Sequence, residues 1–173
     1  IIRESSSTTK LRVVFDGSAK TKSGVSLNDT QLVGAKQQKD LFDILLRFCN
    51  HKYAMTADIE KMYRQIKVHK DHCDLQRILW MEDGQVKKYR LLTVTYGTAS
   101  APFLATRCLK ELALNEQLKF PIASDVALKD FYMDDLMTGS DTIEEAIVIQ
   151  TEMINMLKTC GFNLHKWCAN DSA

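Results

Sequence analysis

The sequence predicts an α+β fold in which helices cover one face of an antiparallel sheet. From Asp58 onward the patterns run strand, ribbon, helix, hairpin, helix and strand, which is the split β-α-β arrangement. The second observation is Phe131-Tyr132-Met133-Asp134-Asp135, where two adjacent acids interrupt an apolar run that ends at Gly139. This pattern predicts a β-hairpin with the acids at its bend.

The acidic hairpin is also the first candidate site. Val126 and Leu128 extend the strand-like apolar run that leads into it. Adjacent carboxylates in a tight turn repel each other, so each resists ionising alone. A divalent cation such as Mg²⁺ favours the ionised carboxylates instead, because it binds their oxygens and leaves sites for water and phosphate. A solvated acidic turn is the alternative interpretation.

Composition indicates a globular chain with one domain, or one domain and a subdomain. Its 173 residues are 45% hydrophobic and 26% charged. No apolar stretch approaches membrane-spanning length, and the first residues resemble no signal peptide. The absence of a starting Met leads us to expect a piece of a larger polypeptide. The five cysteines are scattered, which favours reduced thiols in an intracellular setting.

The net charge of +1 hides an asymmetry. Residues 1–120 hold 20 Lys and Arg against 13 Asp and Glu, giving +7, whereas residues 121–173 hold 3 against 9, giving −6. Two regions of opposite sign suit a protein that grips an anion with one part and a metal with the other. Uneven surface charge is the alternative.

The N-terminal part predicts one strand and one helix. Residues 10–16 alternate basic and apolar types like a strand, so Lys10 and Arg12 would share a face. Such a pair can clamp a polyphosphate, although an exposed strand face is the more common explanation. Asp40 resembles an N-cap, and the apolar spacing that follows it through Phe48 predicts a core helix.

The middle of the chain predicts a ribbon and a second helix. Residues 76–81 and 86–94 flank Asp83-Gly84, and Asp-Gly between alternating runs is a strong hairpin signal. Ser100 then resembles an N-cap, with Pro102 in the first helical turn.

The C-terminal part predicts a third helix and a last strand. The helix runs from about residue 142 to residue 160, is capped by Ser140 or Asp141, and stops at Gly161. Residues 162–167 form the last strand.

A strand over residues 53–59 carries Asp58 near its end. A lone Asp in such a place is most often a cap or turn residue. In the split β-α-β plan, however, this strand neighbours the acidic hairpin, so Asp58 would lie beside Asp134 and Asp135. Three converging carboxylates are hard to explain without a metal.

Two spacings, His69-x-x-His72 and His165-x-x-Cys168, are ligand-like. We disfavour a zinc site, because nothing else in the sequence supports a closed cage of four ligands.

Seven stretches match a known family in order and type. They are RVVFD (12–16), SLND (26–29), TADIEKMYRQI (56–66), QRILW (76–80), VTYGTASAPF (94–103), FYMDD (131–135) and KW (166–167). In these stretches the chain resembles the reverse transcriptases of LTR retroelements, and most closely those of BEL/Pao-type retrotransposons. The resemblance implies a reverse-transcriptase-like fingers and palm. Residues 1–57 would belong to the fingers and residues 58–173 to the palm, with a fingers ribbon inserted at about 76–94; the thumb, connection and RNase H would be absent from this chain.

The resemblance also implies a metal site. Asp58 and Asp134 would bind two Mg²⁺ ions, for which Mn²⁺ could substitute, and Asp135 would contribute more weakly. Two such ions would activate the primer 3′-hydroxyl and stabilise the leaving pyrophosphate.

The same resemblance also implies substrate-binding roles for other residues. Arg12, helped by Lys10, matches the position that holds the incoming triphosphate, and Tyr63 matches the aromatic residue under the deoxyribose. Tyr96 and Gly97 match the segment that borders the nucleotide and the template base.

Lys166 lies near the palm lysine proposed to protonate pyrophosphate, and the match could shift by one residue.

The implied function is that of an RNA-directed DNA polymerase core that extends a primer on RNA or DNA with dNTPs. The core would be part of a retrotransposon polyprotein with protease, RNase H and integrase. It would work in the cytoplasm inside a virus-like particle, without a membrane. One alternative is a decayed or domesticated copy that only binds nucleic acid, and another is a split β-α-β domain with no polymerase role.

Overall fold

The computed structural model describes residues 13–171. Within that range it contains a four-stranded sheet, a separate two-stranded ribbon and five α-helices. In chain order the elements are α1 (Leu41–Asn50), β1 (Tyr53–Ile59), α2 (Met62–Gln65), β2 (Arg77–Glu82), β3 (Gln85–Arg90), α3 (Ala101–Glu116), α4 (Pro121–Lys129), β4 (Phe131–Tyr132), β5 (Asp135–Ser140), α5 (Ile143–Lys158) and β6 (Leu164–Ala169).

The sheet has the order β4-β5-β1-β6, and all its pairs are antiparallel. The central strand β1 is therefore flanked by the acidic hairpin on one side and by the last strand on the other. This is the split β-α-β topology that the sequence predicts, and the α+β fold class is confirmed.

Burial alternates along β1 and separates the two faces of the sheet. Met55, Ala57 and Ile59 are buried, whereas Thr56 and Asp58 are partly exposed. Because side chains alternate along a strand, the buried set faces one way and Asp58 faces the other. The buried set joins a core built from the helices as well, including Leu109, Ala123, Met153 and Leu157. Helices α3, α4 and α5 thus cover one face, and Asp58 lies on the other face.

Helix α4 corrects the strand-like interpretation of the chain before the hairpin. Val126 and Leu128 belong to this helix, so that prediction was wrong. Pro121 occupies the first turn, where proline is tolerated, and Ala123, Val126 and Ala127 are buried at helical spacing. A short apolar run does not distinguish strand from helix, and here packing against α3 and α5 selects the helix.

Helix α1 has the predicted position but not the predicted burial. Ile44 is its one buried residue, whereas Phe42 is 70% exposed and Leu46 is 52% exposed. The expectation of a core helix was therefore wrong. Asp40 precedes the helix, but its side chain pairs with Lys36 and makes no capping hydrogen bond.

The ends of several other elements differ from the predictions. Thr142, and not Ser140 or Asp141, caps α5, because its Oγ1 accepts a hydrogen bond from Glu145 N at 3.3 Å. Ser100 precedes α3 as predicted, although its side chain does not cap the helix. Strand β6 lies two residues later than predicted at each end.

The ribbon forms around the predicted turn. Asp83 and Gly84 have φ values of 51° and 73°, the left-handed pair that a two-residue hairpin turn requires. Strand β3 ends at Arg90, four residues earlier than predicted. At the N-terminus, residues 13–16 form no strand, and Lys10 and Arg12 lie outside the described residues.

No helix in the described part of the chain is long and apolar enough to cross a bilayer.

An ion pair between the partly exposed Arg47 and the buried Asp130 connects α1 to the base of the acidic hairpin. Asp130 is 8% exposed, and its Oδ1 accepts a hydrogen bond from Arg47 Nε at 3.1 Å. Its Oδ2 accepts from Thr138 Oγ1 at 2.9 Å, and Arg47 also donates to the carbonyl of Lys129. Arg47 thus joins α1 to the end of α4 and, through Asp130, to β5.

Arg47→Ala should destabilise the fold by about 1–3 kcal/mol, because it leaves a buried carboxylate with an unsatisfied oxygen. Urea unfolding measures the change. Arg107→Ala is the control, since Arg107 forms an exposed pair with Glu111 and its loss should cost less than about 1 kcal/mol. Equal destabilisation by both variants would show that Arg47 is no more than a surface cation.

Candidate active site

The antiparallel register places two of the candidate carboxylates on neighbouring strands. Asp58 of β1 lies directly opposite Asp135 of β5, so their side chains share a face. The backbone N–H of Ile59 donates to the carbonyl of Asp134 at 2.9 Å, which fixes the hairpin turn to the end of β1. The structure therefore brings Asp58, Asp134 and Asp135 to one corner of the sheet.

The turn itself consists of Met133 and Asp134. Met133 has a φ of 56°, a left-handed conformation that is uncommon for a residue other than glycine. Gln38 contacts this residue with both ends of its amide: Oε1 accepts from Met133 N at 2.8 Å, and Nε2 donates to Met133 O at 3.1 Å. Sequence reasoning missed Gln38, because it lies in a loop 95 positions away and no motif marks it.

Among residues 13–171, two cationic or ionisable side chains contact Asp58. Lys166 Nζ lies 2.8 Å from Asp58 Oδ2, and His165 Nε2 lies 3.2 Å from Asp58 Oδ1. Consecutive residues of a regular strand point to opposite faces. Here the pairing of β1 with β6 shifts between Thr56 and Asp58, and Lys166 has a φ of 53°. This irregularity lets His165 and Lys166 both contact the Asp58 carboxylate. The sequence marked His165 as a zinc candidate only, so its contact with Asp58 was not predicted.

The local electrostatics disfavour ionised carboxylates at the hairpin. Burial raises the pKa of Asp134 above its ordinary value, and the negative charges of Asp58 and Asp135 raise it further, while Lys166 offsets part of the rise. Burial and the charge of Asp58 likewise raise the pKa of Asp135, with Lys166 again opposing. Ionisation of these two carboxyl groups is therefore less favourable than in water, because they are partly buried beside like charge.

The donor set suits a hard divalent cation, which binds carboxylate oxygens and relieves their repulsion. Within residues 13–171, however, no three His, Cys, Asp or Glu side chains are already arranged to enclose a metal ion. Asp58 is held by Lys166 and His165, so a cation there would share or replace these contacts. Among the described residues, the pairs His69/His72 and His165/Cys168 likewise belong to no such group of metal ligands.

Tyr63 lies beside the acidic hairpin. It belongs to the single turn of α2, which follows Lys61 in the left-handed conformation. Its side chain packs partly buried against the core. Burial raises the pKa of the Tyr63 phenol, and the charge of Asp134 raises it further.

Tyr96 and Gly97 contact the N-terminal segment. Tyr96 Oη donates to the carbonyl of Val13 at 2.6 Å, and its ring lies 5.4 Å from that of Phe15 between centroids. Gly97 has a φ of +87°, and a Cβ there would lie 2.3 Å from the carbonyl oxygen of Phe15. The space next to the Gly97 Cα is therefore occupied by this chain's own backbone. Because Lys10 and Arg12 lie outside the described residues, their triphosphate role stays a prediction.

Asp134→Asn should raise the stability of the metal-free protein at pH 7. The pKa of the Asp134 carboxyl is higher in the folded protein than in the unfolded chain, so its protonated form favours the folded state. This contribution to stability is fully present below the unfolded pKa of about 3.9. This contribution is lost as the pH rises through the folded pKa. Asparagine stays neutral, and the gain should be less than about 1 kcal/mol, because solvent screens these charges.

Urea unfolding at pH 7 and near pH 3, both with a chelator, measures this effect. The gain should disappear at the lower pH, and the exposed Asp141→Asn should show neither change. Destabilisation by Asp134→Asn at pH 7 would contradict the electrostatic account.

Comparisons with known proteins agree with this fold. The family model described as reverse transcriptase (RNA-dependent DNA polymerase) matches residues 5–167. A foamy viral protease-reverse transcriptase in complex with RNA/DNA hybrid matches with a TM-score of 0.66 and 22% identity, over 83% of this chain and 18% of that chain. A prototype foamy virus protease-reverse transcriptase mutant matches with a TM-score of 0.64 and 18% identity, over 84% of this chain and 19% of that chain.

This chain spans about a fifth of the length of those solved structures, and at such identities the likeness concerns the fold. No curated protein matches it significantly. The family model nevertheless covers nearly the whole sequence, and the folded core has the predicted topology. The chain therefore belongs to the reverse transcriptase (RNA-dependent DNA polymerase) family.

Proposed function

We propose that this chain is the catalytic core of an RNA-directed DNA polymerase that adds deoxynucleotides to a primer 3′-hydroxyl on an RNA or DNA template. The observation that carries the proposal is the register of β1 and β5, which sets Asp58 opposite Asp135 and next to Asp134. Their shared corner lies on the face of the sheet opposite the one that α3, α4 and α5 cover. A primer terminus and a triphosphate could reach it there.

Reverse transcriptases generally use divalent metal ions. We propose that Asp58 and Asp134 hold two Mg²⁺ ions, or Mn²⁺ in their place, with Asp135 as a weaker ligand. The ions would polarise the primer hydroxyl and stabilise the leaving pyrophosphate. The contribution of the chain is to hold three carboxylates together against their repulsion. Burial first, and the neighbouring negative charges second, raise the pKa values of Asp134 and Asp135.

Substrate contacts are proposed for residues around this corner. Tyr63, close to Asp134, would lie under the sugar of the incoming nucleotide. Tyr96 and Gly97 would border the nucleotide and template base, with Arg12 and Lys10 on the triphosphate.

Lys166 would protonate the pyrophosphate. Its ammonium would first have to leave Asp58, which it contacts at 2.8 Å.

For the domain organisation we propose a fingers part, a palm and an inserted fingers ribbon. We place the boundary between fingers and palm at Tyr53 and not at residue 58, because β1 is already a sheet strand from Tyr53 onward. The ribbon corresponds to β2 and β3, which pair with each other and not with the main sheet.

The wider setting is a proposal as well. We propose a BEL/Pao-type LTR retrotransposon as the source, on the motifs that the sequence shares with that group. The chain would then be part of a polyprotein with a thumb, connection, RNase H, protease and integrase, acting on primer-template in a cytoplasmic virus-like particle. Solved relatives bound to RNA/DNA hybrid and to double-stranded DNA support a nucleic-acid partner. A decayed copy that only binds nucleic acid is not favoured, because all three carboxylates are present and adjacent.

Asp134→Asn should lower primer extension by at least about 100-fold, since it removes a negatively charged ligand of the metal ions that would stabilise the reacting phosphate. The assay is extension of oligo(dT) on poly(rA) by the full natural polypeptide. Asp141→Asn, which changes an exposed acid directly after the last residue of β5, should retain activity. If Asp134→Asn extends the primer at the wild-type rate, Asp134 is no catalytic ligand and the proposal fails.

Tyr63→Val should raise incorporation of ribonucleotides relative to deoxyribonucleotides, because the missing ring would no longer exclude a 2′-hydroxyl. Tyr63→Phe is the matched control and should change the ratio little, since the ring remains. Single-nucleotide extension with each nucleotide type measures the ratio. If Tyr63 only packs in the core, Tyr63→Val will lower stability and total activity and leave the ratio unchanged.

A further inference from the structure

The acidic turn is anchored from two directions. On one side, Ile59 N of β1 donates to the carbonyl of Asp134 at 2.9 Å. On the other side, the Gln38 amide forms two hydrogen bonds with the backbone of Met133, at 2.8 Å and 3.1 Å. Gln38 lies between Gly34 and α1 and belongs to no helix or strand. The second anchor is therefore a single side chain from a distant loop.

The backbone of Met133 needs such a partner. The hairpin ladder pairs Phe131 with Leu136 and Tyr132 with Asp135, and it stops before Met133. Met133 is also left-handed, a conformation that a side chain with a Cβ rarely adopts unless its surroundings hold it. A primary amide offers one acceptor and one donor group, so it can satisfy both backbone groups of one residue.

The backbone of Met133 determines the position of the Asp134 carboxylate. Asp134 follows Met133 directly, so a backbone rotation at Met133 moves the Asp134 carboxylate. Asp135 follows Asp134 directly and lies opposite Asp58, so the Asp134 carboxylate is close to two like charges that repel it. Without a cation, this repulsion favours opening of the turn, and the hydrogen bonds from Gln38 to Met133 oppose that opening.

We infer that Gln38 is a positioning residue for the active site, which holds Met133 in its left-handed conformation and thereby keeps Asp134 beside Asp58 and Asp135. This inference rests on the catalytic role proposed above for Asp134. In the described part of the chain, the Gln38 side chain forms hydrogen bonds only with the turn backbone, and it takes no part in the chemistry.

The chain provides a matched control in the adjacent glutamine. Gln37 Nε2 donates to the carbonyl of Ala35, and its Oε1 accepts from Arg107 at 3.4 Å. Gln37 and Gln38 thus share residue type, loop and partial burial, and of these two only Gln38 has hydrogen bonds to the turn.

The experiment compares Gln38→Ala, Gln38→Glu and Gln37→Ala in the full natural polypeptide. Gln38→Ala removes both bonds, and Gln38→Glu keeps an acceptor for Met133 N but places a second acceptor against Met133 O. Single-nucleotide kcat should fall by about 10- to 100-fold in both Gln38 variants, the loss expected for a misplaced reacting group. Gln37→Ala should match wild type, and primer-template Kd should not change in any variant.

Two further measurements separate positioning from general stability. Mn²⁺ affinity, followed by electron paramagnetic resonance without nucleotide, should weaken in Gln38→Ala and not in Gln37→Ala. Gln38→Ala should also cost less kcat in a Met133→Asn background than in wild type, because Asn adopts the left-handed conformation more readily.

The outcomes distinguish this inference from the proposed function. If Asp134→Asn remains active, the catalytic role of Asp134 fails and the inference fails with it. If Asp134→Asn is inactive while Gln38→Ala matches Gln37→Ala in kcat and Mn²⁺ affinity, only the role of Gln38 is overturned. A loss in Gln38→Ala that Met133→Asn does not reduce would also overturn it, since Gln38 would then act through overall stability.

Discussion

The antiparallel register between β1 and β5 is the constraint on which the site depends. A shift of one residue would move Asp58 to the helix-covered face, where Ala57 and Ile59 are buried, and would separate it from Asp135. The apolar alternation of β1 opposes such a shift, because each of those buried side chains would become exposed. The same hydrophobic pattern that folds the sheet thus also assembles the carboxylates.

Around that register the protein accumulates like charge and compensates for it with nearby contacts. Lys166 and His165 contact Asp58, and Gln38 and Ile59 hold the turn that carries Asp134. These groups come from a loop, the central strand and the last strand. A site assembled in this way depends on the whole sheet and not on one continuous motif.

Sequence reasoning recovered what depends on local pattern. The topology, the Asp83-Gly84 turn and the adjacency of Asp58 to the hairpin follow from periodicity and strand order. It failed where packing decides between similar patterns, as in α4, whose short apolar run fits a strand equally well. It also missed Gln38 and the contact of His165, since a side chain that binds distant backbone and an irregular strand pairing leave no periodic signal.

Helix α1 is fixed to the hairpin near both of its ends. Gln38 precedes the helix and binds the turn, while Arg47 near its last residues pairs with Asp130 where the hairpin begins. Between these two attachments α1 exposes Phe42 and Leu46 to solvent. A displacement of α1 would therefore act on the turn that carries Asp134 through Gln38, and on β5 through Arg47 and Asp130.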